Sequence, residues 1–145
     1  MRELHRNPVR KPHRTSTLMS LALLGLVLSG CGSVQERRSD VETAATGFER
    51  LLRADDPAGL CTALAPETRG ELEESEKASC EKAISSQDIP LGGTTHRVDL
   101  YGRQARVVLD ADTLFLSLFP DGWKVVAAGC TPRPGRPYQC TLQGG

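Results

Sequence analysis

The 145-residue chain predicts an α+β domain, and three observations carry that prediction. Between Asp40 and Ser86, apolar residues recur at helical spacing. Between Thr94 and Ala128, they alternate or run together in strand-length stretches separated by short turns. Pro90-Leu91-Gly92-Gly93 divides the two halves. Strands joined by turns this short must pair antiparallel, so the expected architecture is N-terminal helices packed on a curved four-stranded antiparallel sheet.

The first helix is expected over Asp40–Arg53, because Ser39 and Glu42 have capping-box spacing. Val41, Ala44, Ala45, Phe48, Leu51 and Leu52 form its apolar stripe. Asp56 is placed to cap a second helix, with Pro57 at the first helical position. Leu60, Cys61, Leu64 and Ala65 supply its buried side. Pro66 starts another turn. Residues 67–76 read as a surface helix with Leu72 its one strong apolar anchor. A last helical piece spans Ser79–Ser86 and turns Cys80, Ala83 and Ile84 inward.

Thr94–Tyr101 alternates, with His96, Val98 and Leu100 on one side and Arg97 and Asp99 on the other. After a turn at Gly102, Gln104–Leu109 places Ala105, Val107 and Leu109 on one face. Asp110-Ala111-Asp112 is the next turn. Thr113–Phe119 is almost wholly apolar, as a central strand covered on both faces would be. Phe119-Pro120-Asp121-Gly122 turns the chain into a fourth strand, Trp123–Ala128. The stiff tail from Thr131 to Cys140, with three prolines and with Arg133 and Arg136, is expected to be a disulfide-locked loop covering the sheet edge.

The N-terminus reads as an export leader. Residues 1–14 hold five Lys/Arg against one acid, and Leu18–Leu28 is apolar except for Ser20. That run of 11 residues is too short to span a bilayer as a helix, which takes about 20 residues. Leu28-Ser29-Gly30-Cys31 follows directly and resembles the lipobox of bacterial lipoproteins. The resemblance implies cleavage before Cys31 and a diacylglyceryl group on its thiol. The expected organisation is a signal peptide over residues 1–30, a lipidated tether over 31–39 and one α+β domain over 40–145. Two acyl chains hold a protein stably at a membrane. The expected location is therefore the outer face of the cytoplasmic membrane, with the membrane itself a partner through Cys31.

Four cysteines remain after Cys31, an even number that suits disulfides in an exported domain. Of three connectivities, the two sequential pairs are expected, Cys61–Cys80 and Cys130–Cys140. No Cys-x-x-Cys with a nearby His is present, and no metal or cofactor is expected. From Cys31 onward the chain carries 13 bases and 17 acids, concentrated toward its first half. That balance excludes the basic patch of a nucleic-acid binder.

A second resemblance lies in the strand half. Val98-Asp99-Leu100-Tyr101-Gly102-Arg103-Gln104-Ala105-Arg106-Val107, then Leu114-Phe115-Leu116, then Asp121-Gly122-Trp123-Lys124-Val125 resemble the sheet of an NTF2-like domain. Phe48-Glu49-Arg50-Leu51-Leu52-Arg53-Ala54-Asp55 resembles that family's first helix and the turn after it. The resemblance implies a sheet wrapped around a long helix. It also implies either a filled interior that serves binding or a pocket of isomerase or dehydratase type.

His96 is the only histidine after the leader and the one candidate acid/base. Asp99 and Tyr101 fall on the opposite face, so the three line one cavity only if a bulge intervenes. Glu71, Glu73, Glu74 and Glu76 crowd one helix and are expected to be a solvated face. No nucleophile elbow or phosphate loop appears. The expected function is a membrane-anchored, non-enzymatic module that binds a protein partner or small ligand. The alternatives are a small pocket enzyme using His96 and an accessory subunit of a membrane complex.

Overall fold

The computed structural model describes residues 33–144. The leader, the expected cleavage point and Cys31 lie outside the described residues. Four helices come first, α1 (Val34–Ala54), α2 (Pro57–Ala63), α3 (Pro66–Glu76) and α4 (Cys80–Ile84). Five strands follow, β1 (Thr95–Tyr101), β2 (Gln104–Leu109), β3 (Thr113–Phe119), β4 (Gly122–Arg133) and β5 (Arg136–Gln143). They form one antiparallel meander in the order β1-β2-β3-β4-β5. The class is α+β, with five strands instead of the expected four.

Helix α1 starts at Val34, six residues before Asp40, so the expected tether is already helical from Val34. The physical reason is a second capping box upstream. Ser33 Oγ accepts from the Glu36 N–H at 3.1 Å, and the Glu36 carboxylate accepts from the Ser33 N–H at 2.5 Å. Extending an existing helix costs little once its nucleus is formed, provided the new end is capped. The added turn is also held from outside, because the Arg38 guanidinium donates to the Val98 carbonyl at 2.6 Å. At its other end α1 stops on Asp55, whose left-handed φ of 50° closes the helix.

The tail is a strand, not a loop over the edge. Thr131 pairs with Gln139 and Arg133 with Arg136, so β4 and β5 form a hairpin around Pro134-Gly135. Pro137 is tolerated because β5 is an edge strand, where a missing N–H breaks no ladder on the open side. The prolines that suggest a loop therefore mark an edge hairpin. Where β5 no longer reaches, Leu64 bridges Val125 and the Ala65 N–H donates to the Val125 carbonyl at 2.8 Å.

The core lies between the helices and one face of the sheet. Val41, Ala45 and Phe48 of α1 are buried with Val98, Val107, Leu109, Leu114, Leu116 and Val125. Phe48, Leu114 and Leu116 are the largest side chains fully out of solvent, so the space beneath α1 is filled. β3 is central, as expected, but only its helix-side face is fully covered. Phe115 on the other face is half-buried, with its ring edge-on to Tyr138 at 5.1 Å between centroids.

Both cysteine pairs are the sequential ones. Cys61–Cys80 ties α2 to the start of α4, and Cys130–Cys140 joins residues directly opposite in β4 and β5.

Candidate functional site

One concave stretch lies along the β1 edge of the sheet, where α1 overhangs the first strand; another, of about 410 Å³, lies among Phe115, Ser117, Val126, Pro137 and Tyr138. A groove of about 480 Å³ is lined by Glu42, Thr43, Thr46, Glu49, Arg50 and Arg53 of α1 and by Gly93, Thr95 and Leu109. A second stretch of about 490 Å³ runs on past Arg38, His96, Arg97 and Val98 and shares Glu42, Thr46 and Thr95 with the first.

At the floor of the first stretch lies Glu49, only 5% exposed. Its Oε2 accepts from the Gly92 N–H at 2.8 Å, while Oε1 has no hydrogen-bond partner among the described residues. Burial pushes its carboxyl above the ordinary value, the Gly92 N–H opposes that rise, and the Asp112 charge adds to it. Gly92 makes the contact available: a side-chain carbon there would stand 2.2 Å from Leu109 Cδ1 and 3.0 Å from Glu49 Oε1. The glycine pair thus lets the linker settle onto a buried acid, beyond acting as a hinge.

The sequence does not single out Glu49 by type, since Glu is common on helices. Its position was the available signal. Glu49 falls four residues after Ala45 and eight after Val41, squarely on the buried stripe. A carboxylate placed there must either be paired or carry a proton.

His96 stands on the rim. Thr95 pairs with Leu109 and Arg97 with Val108, so β1 carries one extra residue between them and His96 is the bulged one. It therefore does not share the buried face of Val98; its side chain is 59% exposed. Its Nε2 meets Asp110 Oδ1 at 2.5 Å. Asp110 also accepts from the Thr94 N–H at 2.7 Å. These contacts, the Thr94 backbone bond foremost and the His96 bond next, hold the Asp110 carboxyl below its ordinary range.

A bulge does intervene, but it does not gather His96, Asp99 and Tyr101 into one cavity. Asp99 is taken by Arg106, whose Nη2 lies 2.8 Å away, and by Arg97 at 3.1 Å. Those bonds, Arg106 first, lower the Asp99 carboxyl. Tyr101 is exposed at the hairpin tip. Asp112 serves the fold: its carboxylate accepts from the N–H groups of Thr113, Gly129 and Cys130, fastening the β2–β3 turn to β4.

Glu71, Glu74 and Glu76 are exposed on α3, while Glu73 is half-buried and accepts from the Cys80 N–H at 3.1 Å. No cluster of three or more His, Cys, Asp or Glu suited to a metal occurs among the described residues. No described helix is long and apolar enough to cross a membrane. No family model, curated protein or solved structure matches this chain.

Proposed function

We propose that this protein is a lipid-anchored binding module at the outer face of the cytoplasmic membrane. Its domain is NTF2-like and its role non-enzymatic. The observation that carries the binding role is the groove between α1 and β1, with the half-bonded Glu49 carboxyl at its floor. Its first stretch, about 480 Å³, falls within the range of about 300–1,000 Å³ typical of small-ligand sites. A buried polar group with unused hydrogen-bonding capacity is what a ligand satisfies.

The anchor rests on the leader and on Leu28-Ser29-Gly30-Cys31. The NTF2-like assignment draws support from a long first helix packed on β1, β2 and β4 of an antiparallel meander. An isomerase or dehydratase would need its acid/base within a hollow interior. The filled core and the exposed His96 favour binding over that alternative. Glu49 is the one group that keeps the enzymatic alternative standing, because a carboxyl raised by burial suits proton transfer.

A photo-reactive residue at Thr46, in the middle of the groove, tests the reading in intact cells. A matched probe at Gln139, on the opposite edge strand, is the control. An adduct at position 46 and none at 139 is the expected result. A small-molecule adduct identifies a ligand, and a protein adduct identifies a membrane-complex partner. No adduct at position 46 removes the groove as the binding place. In the same cells the wild type should incorporate labelled fatty acid and Cys31→Ser should not, and an unlabelled wild type would defeat the anchor.

A further inference from the structure

Three large apolar side chains are exposed among the described residues, Val34, Leu91 and Tyr101. Two of them share one end of the domain. Val34 opens α1, and Tyr101 is the last residue of β1 before the tight turn Gly102-Arg103. The Arg37 guanidinium joins them, donating to the Gly102 carbonyl at 3.2 Å. Arg103 extends the same end toward β3, where its carbonyl accepts from the Leu118 N–H at 2.8 Å and its guanidinium donates back to the Leu118 carbonyl.

The meander sets the polarity. The turns at 102–103 and 120–121 fall at one end of the sheet and those at 110–112 and 134–135 at the other. Leu91 belongs to the second end, since the neighbouring Gly92 carbonyl accepts from the Ala111 N–H at 2.9 Å.

Ser33 caps α1 at the first end, and only two peptide links separate it from Cys31. Two residues of extended chain reach at most about 7 Å. An acylated Cys31 would sit at headgroup depth, so it would bring the Val34–Tyr101 end to the bilayer surface. The chemistry of that end suits the place. Tyrosine favours the membrane–water interface, with its ring among the apolar groups and its hydroxyl in the wet layer. Arg103 is exposed and Arg37 half-buried, each with one terminal nitrogen on a backbone carbonyl and the other left to meet phosphate, which draws guanidinium groups to anionic headgroups. Of the acids nearby, Asp121 is paired with Lys124 at 3.1 Å, while Glu36 keeps its charge at this end on the Ser33 N–H and is outnumbered there by Arg37 and Arg103.

We propose that the end formed by Val34, Tyr101, Arg37 and Arg103 is a docking face for the anionic phospholipid surface that holds the anchor. The inference rests on the lipid-anchor reading. Docking there orients the domain, because Glu49, Gly93 and Asp110 lie toward the opposite end: the Glu49 stretch of the groove is held away from the lipid, while Arg38 brings the other stretch toward it.

The test uses the full chain purified from host membranes. Mass spectrometry of the Cys31 peptide comes first. The protein is then placed in phosphatidylcholine–phosphatidylglycerol vesicles with brominated acyl chains. Fluorescence quenching is compared for wild type, where Trp123 is the only emitter, for Tyr101→Trp and for Leu91→Trp. The added emission at position 101 should be quenched about twofold or more relative to that at 91, as an interfacial residue would be. Arg103→Glu in the Tyr101→Trp background should reduce that difference. A lipidated Cys31 with equal quenching at both positions overturns the docking face and leaves the anchor intact. An unlipidated Cys31 overturns both.

Discussion

The two edges of the sheet are finished in opposite ways. At the β5 edge, Cys130–Cys140 joins directly opposite residues, and Leu64–Ala65 fills the place beside β4 that β5 leaves. At the β1 edge there is no covalent link. A bulge at His96, the Arg97–Asp99–Arg106 ion pairs and the His96–Asp110 contact finish it instead. Bulges and charges discourage another strand from adding to an edge. Under the proposed binding role, a partner at β1 would be met by side chains in the groove and not by backbone pairing. The β5 edge is locked covalently to β4, and the edge held by polar contacts is where Glu49 keeps an oxygen without a hydrogen-bond partner.

The comparison can be broken by removing covalent links. Replacing Cys61 and Cys80 by serine should cost about 3 kcal/mol, because the 19-residue separation closes a substantial loop in the unfolded chain. Urea unfolding reads this directly. An unchanged midpoint would mean that the α2–α4 layer holds without its link. Replacing Cys130 and Cys140 should cost slightly less, about 2.7 kcal/mol, since their separation is 10 residues. Here hydrogen exchange at Gln139–Leu142 should rise more than exchange in β1, and a uniform rise would deny that the β5 edge is locked locally.

At the open edge, Glu49→Gln sharpens the contrast. The folded value of Glu49 lies above its unfolded one, so the native state holds the proton more tightly. The stability tied to that proton is complete below the ordinary carboxylate range and is lost as pH rises through the raised folded value. The amide keeps an acceptor for Gly92 and removes the buried charge. The variant should gain on the order of 1 kcal/mol above neutral pH and converge with wild type in acid. A constant offset across pH would show that Glu49 is not the titrating group. The smallest effect belongs to His96→Ala. The His96–Asp110 contact is exposed, so the urea midpoint should stay where it is. A clear loss of stability would place His96 in the structure and not on the rim of a site.

Much of the architecture was legible because it is local. The stripe through Val41, Ala45 and Phe48 and the turn at Gly102 each follow from neighbours in the chain. The strand β5 also left a trace, since Tyr138, Cys140 and Leu142 alternate behind the prolines. The prolines read as loop because the edge position that tolerates them is a tertiary fact. The start of α1 was ambiguous because Ser33–Glu36 and Ser39–Glu42 have the same spacing. Contacts of Arg37 and Arg38 with β1 and the turn after it, about 60 residues away, support the earlier one.

Among the three possible cysteine connectivities the fold selects the sequential pairs, whereas the sequence by itself determined the α+β class and the antiparallel connections. These depend on periodicity, turn chemistry and short separations. Only the tertiary structure decided that Glu49 is buried beside Gly92, that His96 is bulged onto a rim and that Tyr101 and Val34 share an end. Each depends on groups more than ten residues apart meeting in the fold, and burial and charge pairing there are properties of the packed molecule, not of either segment.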